Sequence, residues 1–176
     1  TRHNRPNSRR MKKWGVLILA AATLLGGCHK VDNRRIPFAS VRIALDNDGL
    51  WSTYGVSGFG DYRRFIKSER VPANFTYTAL TYTGYGGVLL VSGKQAIGDG
   101  YGYPLAYDLA CPVEARQNVR LKVNAMYEAE CPECGSRYNI TEAMGAPVAG
   151  KALDYGYGLT RYNVNKASSG GYTITN

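Results

Sequence analysis

Histidine is nearly missing from this chain: His3 and His29 are its only two, both close to the N-terminus. Beyond position 29 there is no imidazole to act as a general base, so neither a Ser-His-Asp nor a Cys-His nucleophile can be assembled there. Acidic residues are absent from the first 31 positions, and tryptophan occurs only twice. No apolar run is long. The uncharged stretch over residues 14–27 has 14 residues, and a membrane-spanning helix needs about 20. A permanent transmembrane helix is therefore the weaker reading of that stretch.

What is present at the N-terminus has the three parts of a secretory signal in order. Lys12 and Lys13 follow Met11, residues 15–25 are apolar, and Gly26 and Gly27 lead into Cys28. The segment Leu24-Leu25-Gly26-Gly27-Cys28 resembles a bacterial lipobox, whose cysteine is diacylated and becomes the first mature residue after cleavage. The resemblance implies a signal peptide over residues 11–27, a lipid anchor at Cys28 and a membrane-bound lipoprotein on the periplasmic face of a Gram-negative envelope. Residues 1–10 read as an upstream extension. An alternative takes Ser8-Arg9-Arg10 as part of a twin-arginine signal, but Lys12 and Lys13 stand where hydrophobic residues belong.

The formal charge of +9 invites a nucleic-acid partner. However, six of the 22 basic residues precede Cys28. From Cys28 onward, 16 basic residues face 13 acidic ones, leaving +3 over 149 residues. No basic stripe with interleaved aromatics remains, so nucleic acid is not an expected partner. The expected partners are membrane lipid at Cys28 and an unidentified redox partner.

The length suits one domain. Residues 28–36 are polar and read as a tether, and residues 37–176 carry strand-like patterning. Val41, Ile43 and Leu45 alternate, as do Val119, Leu121, Val123 and Ala125. Residues 75–83 read as extended, 87–92 as a buried apolar run, and 161–164 and 172–175 as closing strands. A short helix is predicted only at residues 61–66. Tyrosine beside glycine, as in Gly84-Tyr85-Gly86-Gly87 and Tyr155-Gly156-Tyr157-Gly158, reads as tight turns flanked by half-buried rings rather than a sugar-stacking surface. Glu128 and Glu130 share one strand face and read as solvated edge carboxylates. The fold class is all-β, with stacked antiparallel sheets.

Three cysteines remain once Cys28 is set aside. Cys131-Pro132-Glu133-Cys134-Gly135 has the stiff turn and glycine of a metal-binding knuckle. Cys111 lies one strand earlier, so two loops can meet.

The run from Cys131 through Ser136 to Tyr138 resembles the second cluster-binding loop of Rieske iron–sulfur proteins, usually Cys-Pro-x-His-Gly-Ser-x-Tyr/Phe. Tyr107-Asp108-Leu109-Ala110-Cys111-Pro112-Val113 resembles the first loop, and Gly145-Ala146-Pro147-Val148-Ala149-Gly150 the segment that covers the cluster. The resemblance implies a Rieske-like domain with a small loop-rich cluster-binding subdomain. It makes Cys111 and Cys131 ligands and places Ser136, Tyr138 and Pro147 around the cluster. Where the family has two histidines, this chain has Val113 and Cys134. A centre with two histidines and two cysteines is thereby excluded.

The thiols leave several chemistries open. Cys111, Cys131 and Cys134 could hold a variant 2Fe–2S cluster or zinc, with Glu114 or Glu133 supplying an oxygen. That reading makes the protein an electron-transfer or metal-binding lipoprotein. Alternatively, Cys111 forms a disulfide with Cys131 or Cys134 in an oxidising compartment. The protein is then a metal-free envelope module for binding or assembly. Free buried thiols, or a CPxC redox pair, complete the set; the latter calls for a cysteine at a helix start.

Overall fold

In the computed structural model, residues 30–96, 102–142 and 144–176 are described. The lipobox cysteine Cys28, the signal segment and residues 1–10 lie outside them. Residues Val31–Asn176 form one compact unit.

Alternating burial builds the first layer. In β1 (Val41–Leu45), Val41, Ile43 and Leu45 point inward while Arg42 and Ala44 face out. It pairs with β11 (Tyr172–Thr175) on one side and the two-residue β3 (Tyr82–Thr83) on the other. β10 (Arg161–Lys166) buries Tyr162 and Val164 and joins β11 to β5 (Gly102–Asp108). β4 (Val88–Ala96) pairs with β5 and with β2 (Tyr62–Phe65). The resulting antiparallel sheet has seven strands in the order β2-β4-β5-β10-β11-β1-β3 and is nearly closed, like a barrel. A second antiparallel sheet runs β6 (Lys122–Val123), β7 (Glu128–Glu130), β8 (Arg137–Asn139) and β9 (Ala146–Ala149). The protein is all-β, as its patterning indicates.

The β4–β5 hairpin separates two cores. Val88, Leu90 and Ala106 join Ile43, Leu45, Phe65 and Ile174 on one side. Leu89, Val91, Leu105 and Tyr107 face the other side, against Leu121, Ala129, Tyr138 and Ile140. Burial on both faces explains why residues 88–91 are continuously apolar rather than alternating.

Three local expectations differ from the structure. Residues 61–66 hold strand β2, not a helix, because Tyr62–Phe65 pairs residue for residue with Val88 to Val91 and Phe65 is fully buried. The helix lies earlier: α1 (Asp48–Tyr54) is capped by the Asn47 side chain, which accepts from Leu50 N–H at 2.9 Å. Residues 75–83 form a strand only at Tyr82–Thr83. There, Thr81 Oγ1 accepts from Thr78 N–H at 3.1 Å and Thr78 Oγ1 from Leu80 N–H at 3.2 Å, so local side chains take donors a ladder would use. The alternation expected at 119–125 holds in burial for Val119 and Leu121, while Val123 is half-buried and Ala125 is exposed. Regular pairing is confined to β6 and an isolated bridge between Ala110 and Arg120. Asn124 Oδ1 then accepts from Met126 and Glu128 N–H and turns the chain into β7.

Residues 31–36, read from sequence as a tether, are hydrogen-bonded to the domain. Asp32 N–H donates to Gly156 O at 2.7 Å, Gly158 N–H donates to Asp32 O at 2.9 Å, and the Arg35 guanidinium lies 4.5 Å from the Tyr157 ring centre. Ile36 is buried.

Candidate metal centre

Two hairpins bring the thiols together. In the first, residues 109–111 run against 119–121: Leu121 N–H donates to Leu109 O and Cys111 N–H to Val119 O. In the second, β7 and β8 pair and Cys131 N–H donates to Ser136 O at 2.9 Å. Both hairpins end in a cysteine-proline turn. At their tips, Cys111, Cys131 and Cys134 place their sulfurs within 4.8 Å of one another. Cys111 Sγ and Cys134 Sγ are 3.7 Å apart. All three are free thiols, with Cys111 and Cys131 buried and Cys134 partly exposed.

The surroundings separate the three sulfurs electrically. Burial pushes the Cys131 thiol up to about 12, with backbone N–H groups of Cys134 and Glu133 opposing, and burial also raises Cys111. Burial acts the same way on Cys134, but bonds from the Ser136 hydroxyl and N–H and from the two neighbouring cysteines outweigh it. The Cys134 thiol therefore falls below its ordinary value. Ser136 Oγ accepts from Cys134 Sγ at 3.2 Å and from Ala152 N–H at 3.1 Å, which ties the second cysteine turn to the chain after β9. Tyr138 OH is 3.7 Å from Cys111 Sγ, and burial first, then the adjacent sulfurs, hold the phenol protonated.

The other residues expected near the sulfurs take up different positions. Glu114 and Glu133 do not join the sulfur cluster. Arg116 holds both, at 3.1 Å from Glu114 and in close contact with Glu133. Pro147 sits in β9 opposite Tyr138. The turn that follows β9 is what reaches the site: a Cβ on Gly150 would meet Ser136 Cα at 3.0 Å. Val113 packs against the second core. Cys134 ends a turn that leads into strand β8, not a helix. Glu128 bonds Arg137 at 2.7 Å and Glu130 bonds Asn124 at 3.1 Å, so both edge carboxylates are occupied.

One set of supporting residues has no sequence signature. Asp108, fully buried, accepts from Ala110 N–H at 2.7 Å, Tyr85 N–H at 2.9 Å, Gly86 N–H at 3.0 Å and the Tyr162 hydroxyl at 2.5 Å. Tyr85 in turn donates its hydroxyl to Ala115 O in the Cys111 loop. A side chain at position 86 would strike Ala110 N at 2.5 Å, so glycine is required there for the loop to approach the carboxylate. The only hint in the sequence is a glycine-tyrosine run, which here forms a turn.

Geometry limits the chemistry. Thiolates bound to one tetrahedral ion at about 2.3 Å stand about 3.8 Å apart. The 3.7 Å between Cys111 and Cys134 fits such an edge. Thiolates on opposite irons of a two-iron cluster are held further apart by the bridging sulfides. No protein-family model, curated protein or solved structure matches the chain. Among the described residues, no helix is long and apolar enough to cross a membrane.

Proposed function

We propose that this chain is a lipid-anchored protein of the Gram-negative periplasmic face, with a Rieske-like β-domain that binds one metal ion through Cys111, Cys131 and Cys134. The convergence of three sulfurs within 4.8 Å, contributed by two hairpin tips, carries the reading. Ser136 and Tyr138 support it by standing where hydrogen bonds to metal-bound sulfur are made. The small four-stranded sheet takes the part of the cluster-binding subdomain. The sulfur spacing favours a single ion over a two-iron cluster. The anchor rests on the lipobox-like run ending in Cys28 and on the short basic-apolar segment before it.

The test is metal analysis and visible absorption of the full chain purified without oxygen. One equivalent of a single metal, lost in a Cys131→Ser variant, is expected. A red-brown protein carrying two irons would replace the single ion by a cluster. The 3.7 Å approach of Cys111 to Cys134 also suits the metal-free alternative, an envelope module stapled by a disulfide. Colourless, metal-free protein with only one titratable thiol among these three establishes that alternative. For the anchor, mass spectrometry of the membrane fraction is expected to show a chain beginning at an acylated Cys28; an uncleaved, unmodified N-terminus would remove it.

A further inference from the structure

The turn at Cys111 is built like the turn at Cys131. In each, the cysteine carbonyl accepts from the N–H four residues on: Ala115 to Cys111 at 2.8 Å and Gly135 to Cys131 at 3.0 Å. The residue that closes each turn is left-handed, with φ of 48° at Ala115 and 66° at Gly135. For a glycine this is routine, but alanine rarely takes it, so the first turn holds this geometry against local preference. Position by position, Cys111 corresponds to Cys131, Val113 to Glu133, and Glu114 to Cys134. The second turn shows what its fourth position does, since Cys134 turns its side chain back to the shared centre. In the first turn that position is a carboxylate.

We infer that Glu114 is the fourth ligand, and that the site is a tetrahedral Cys3Glu centre for a divalent cation of zinc type. This rests on the one-ion reading above and goes beyond it by fixing the oxygen donor and the class of ion. Zinc accepts both thiolate and carboxylate in four-coordinate sites. Glu133, the other nearby carboxylate, occupies the turn position of Val113 and is the more exposed, with 46% of its side chain accessible against 24% for Glu114. Arg116 now pairs with both carboxylates. On metal entry, Glu114 exchanges the guanidinium for the ion while Arg116 keeps Glu133. The thiols that remain protonated release their protons to solvent as sulfur–metal bonds form.

The experiment loads the full chain with zinc alone and reads zinc X-ray absorption and competition against a chromogenic chelator. Wild type is expected to show three sulfurs and one oxygen. Glu114→Ala should keep three sulfurs and bind at least about tenfold more weakly, since even the outer partners of a metal ligand cost that much. Glu114→Cys should convert the shell to four sulfurs, a gain that no structural role for the carboxylate would produce. An unchanged zinc affinity in Glu114→Ala, or a three-sulfur shell in Glu114→Cys, overturns the assignment while leaving the three-thiol site standing. Failure of wild type to take up zinc overturns both.

Discussion

The two faces of the β4–β5 hairpin carry different kinds of core. On the barrel side, strands of up to nine residues direct alternate side chains inward, and Ile43, Leu45, Phe65, Val88, Leu90 and Ile174 are fully buried. On the other side the strands are two to four residues long. Their core includes two cysteines and two tyrosines, Tyr107 and Tyr138, among its buried residues. The first core is held by area removed from water. The second is held the same way, with Leu89, Leu109, Leu121, Ile140 and Leu159 fully buried, and adds hydrogen-bonded turns around sulfur. The barrel-side core contains none of the three thiols, so substitutions there can be compared with substitutions at the site.

The widest separation is expected from Leu90→Ala, which empties space in the barrel-side core. Urea denaturation should show a loss of about 3–5 kcal/mol, with the metal stoichiometry of the folded fraction unchanged. A parallel loss of metal would mean that the two cores are not separable. Next, zinc at 100 times its dissociation constant should add about 2.7 kcal/mol of stability to wild type. By hydrogen exchange, the added protection should gather in β7, β8 and the two cysteine turns rather than in β1, β10 and β11.

Smaller effects come from the polar supports. Ser136→Ala leaves the buried Ala152 N–H without its acceptor and should cost about 1–2 kcal/mol, seen as a lower urea midpoint. Asp108→Asn sharpens the comparison through pH. Burial, opposed by the four hydrogen bonds, leaves the Asp108 carboxyl above its ordinary 3.8. The folded chain then holds that proton more tightly than the unfolded chain does. Its contribution to stability falls as pH rises from 3.8 through the raised native value, and stays at the lower level above it. The Asn variant should lack that decline when unfolding is followed across the acid range; an identical pH profile would mean that Asp108 titrates normally.

Strands β1 and β10 are legible in the sequence because one face is buried and the other is wet. The run at 88–91 reveals its burial but not its partners, since a strand between two cores has no alternation to read. Helix α1 escapes notice because Gly49, Trp51, Ser52 and Thr53 are poor helix formers and its apolar face, Leu50, Trp51 and Tyr54, is short and only half-buried against the barrel-side core. The opposite holds at 61–66, a short stretch of mixed polar and apolar residues whose strand character depends on Val88 to Val91 pairing with it. At the site, the meeting of Cys111 with Cys131 and Cys134 follows from two loops flanking one strand. The roles of Asp108, Tyr85 and Arg116 do not. Their contacts run to backbone groups and to residues brought close by the fold, which leave no spacing in the sequence.

The hydrogen bond from the Tyr85 hydroxyl to Ala115 O has a mechanical meaning. One cysteine turn is bolted to the barrel through Tyr85 and Asp108, while the other leans on helix α2 (Lys151–Tyr155) through Ser136 and Ala152. An occupant of the sulfur cradle would act as a rivet between two plates with separate mountings.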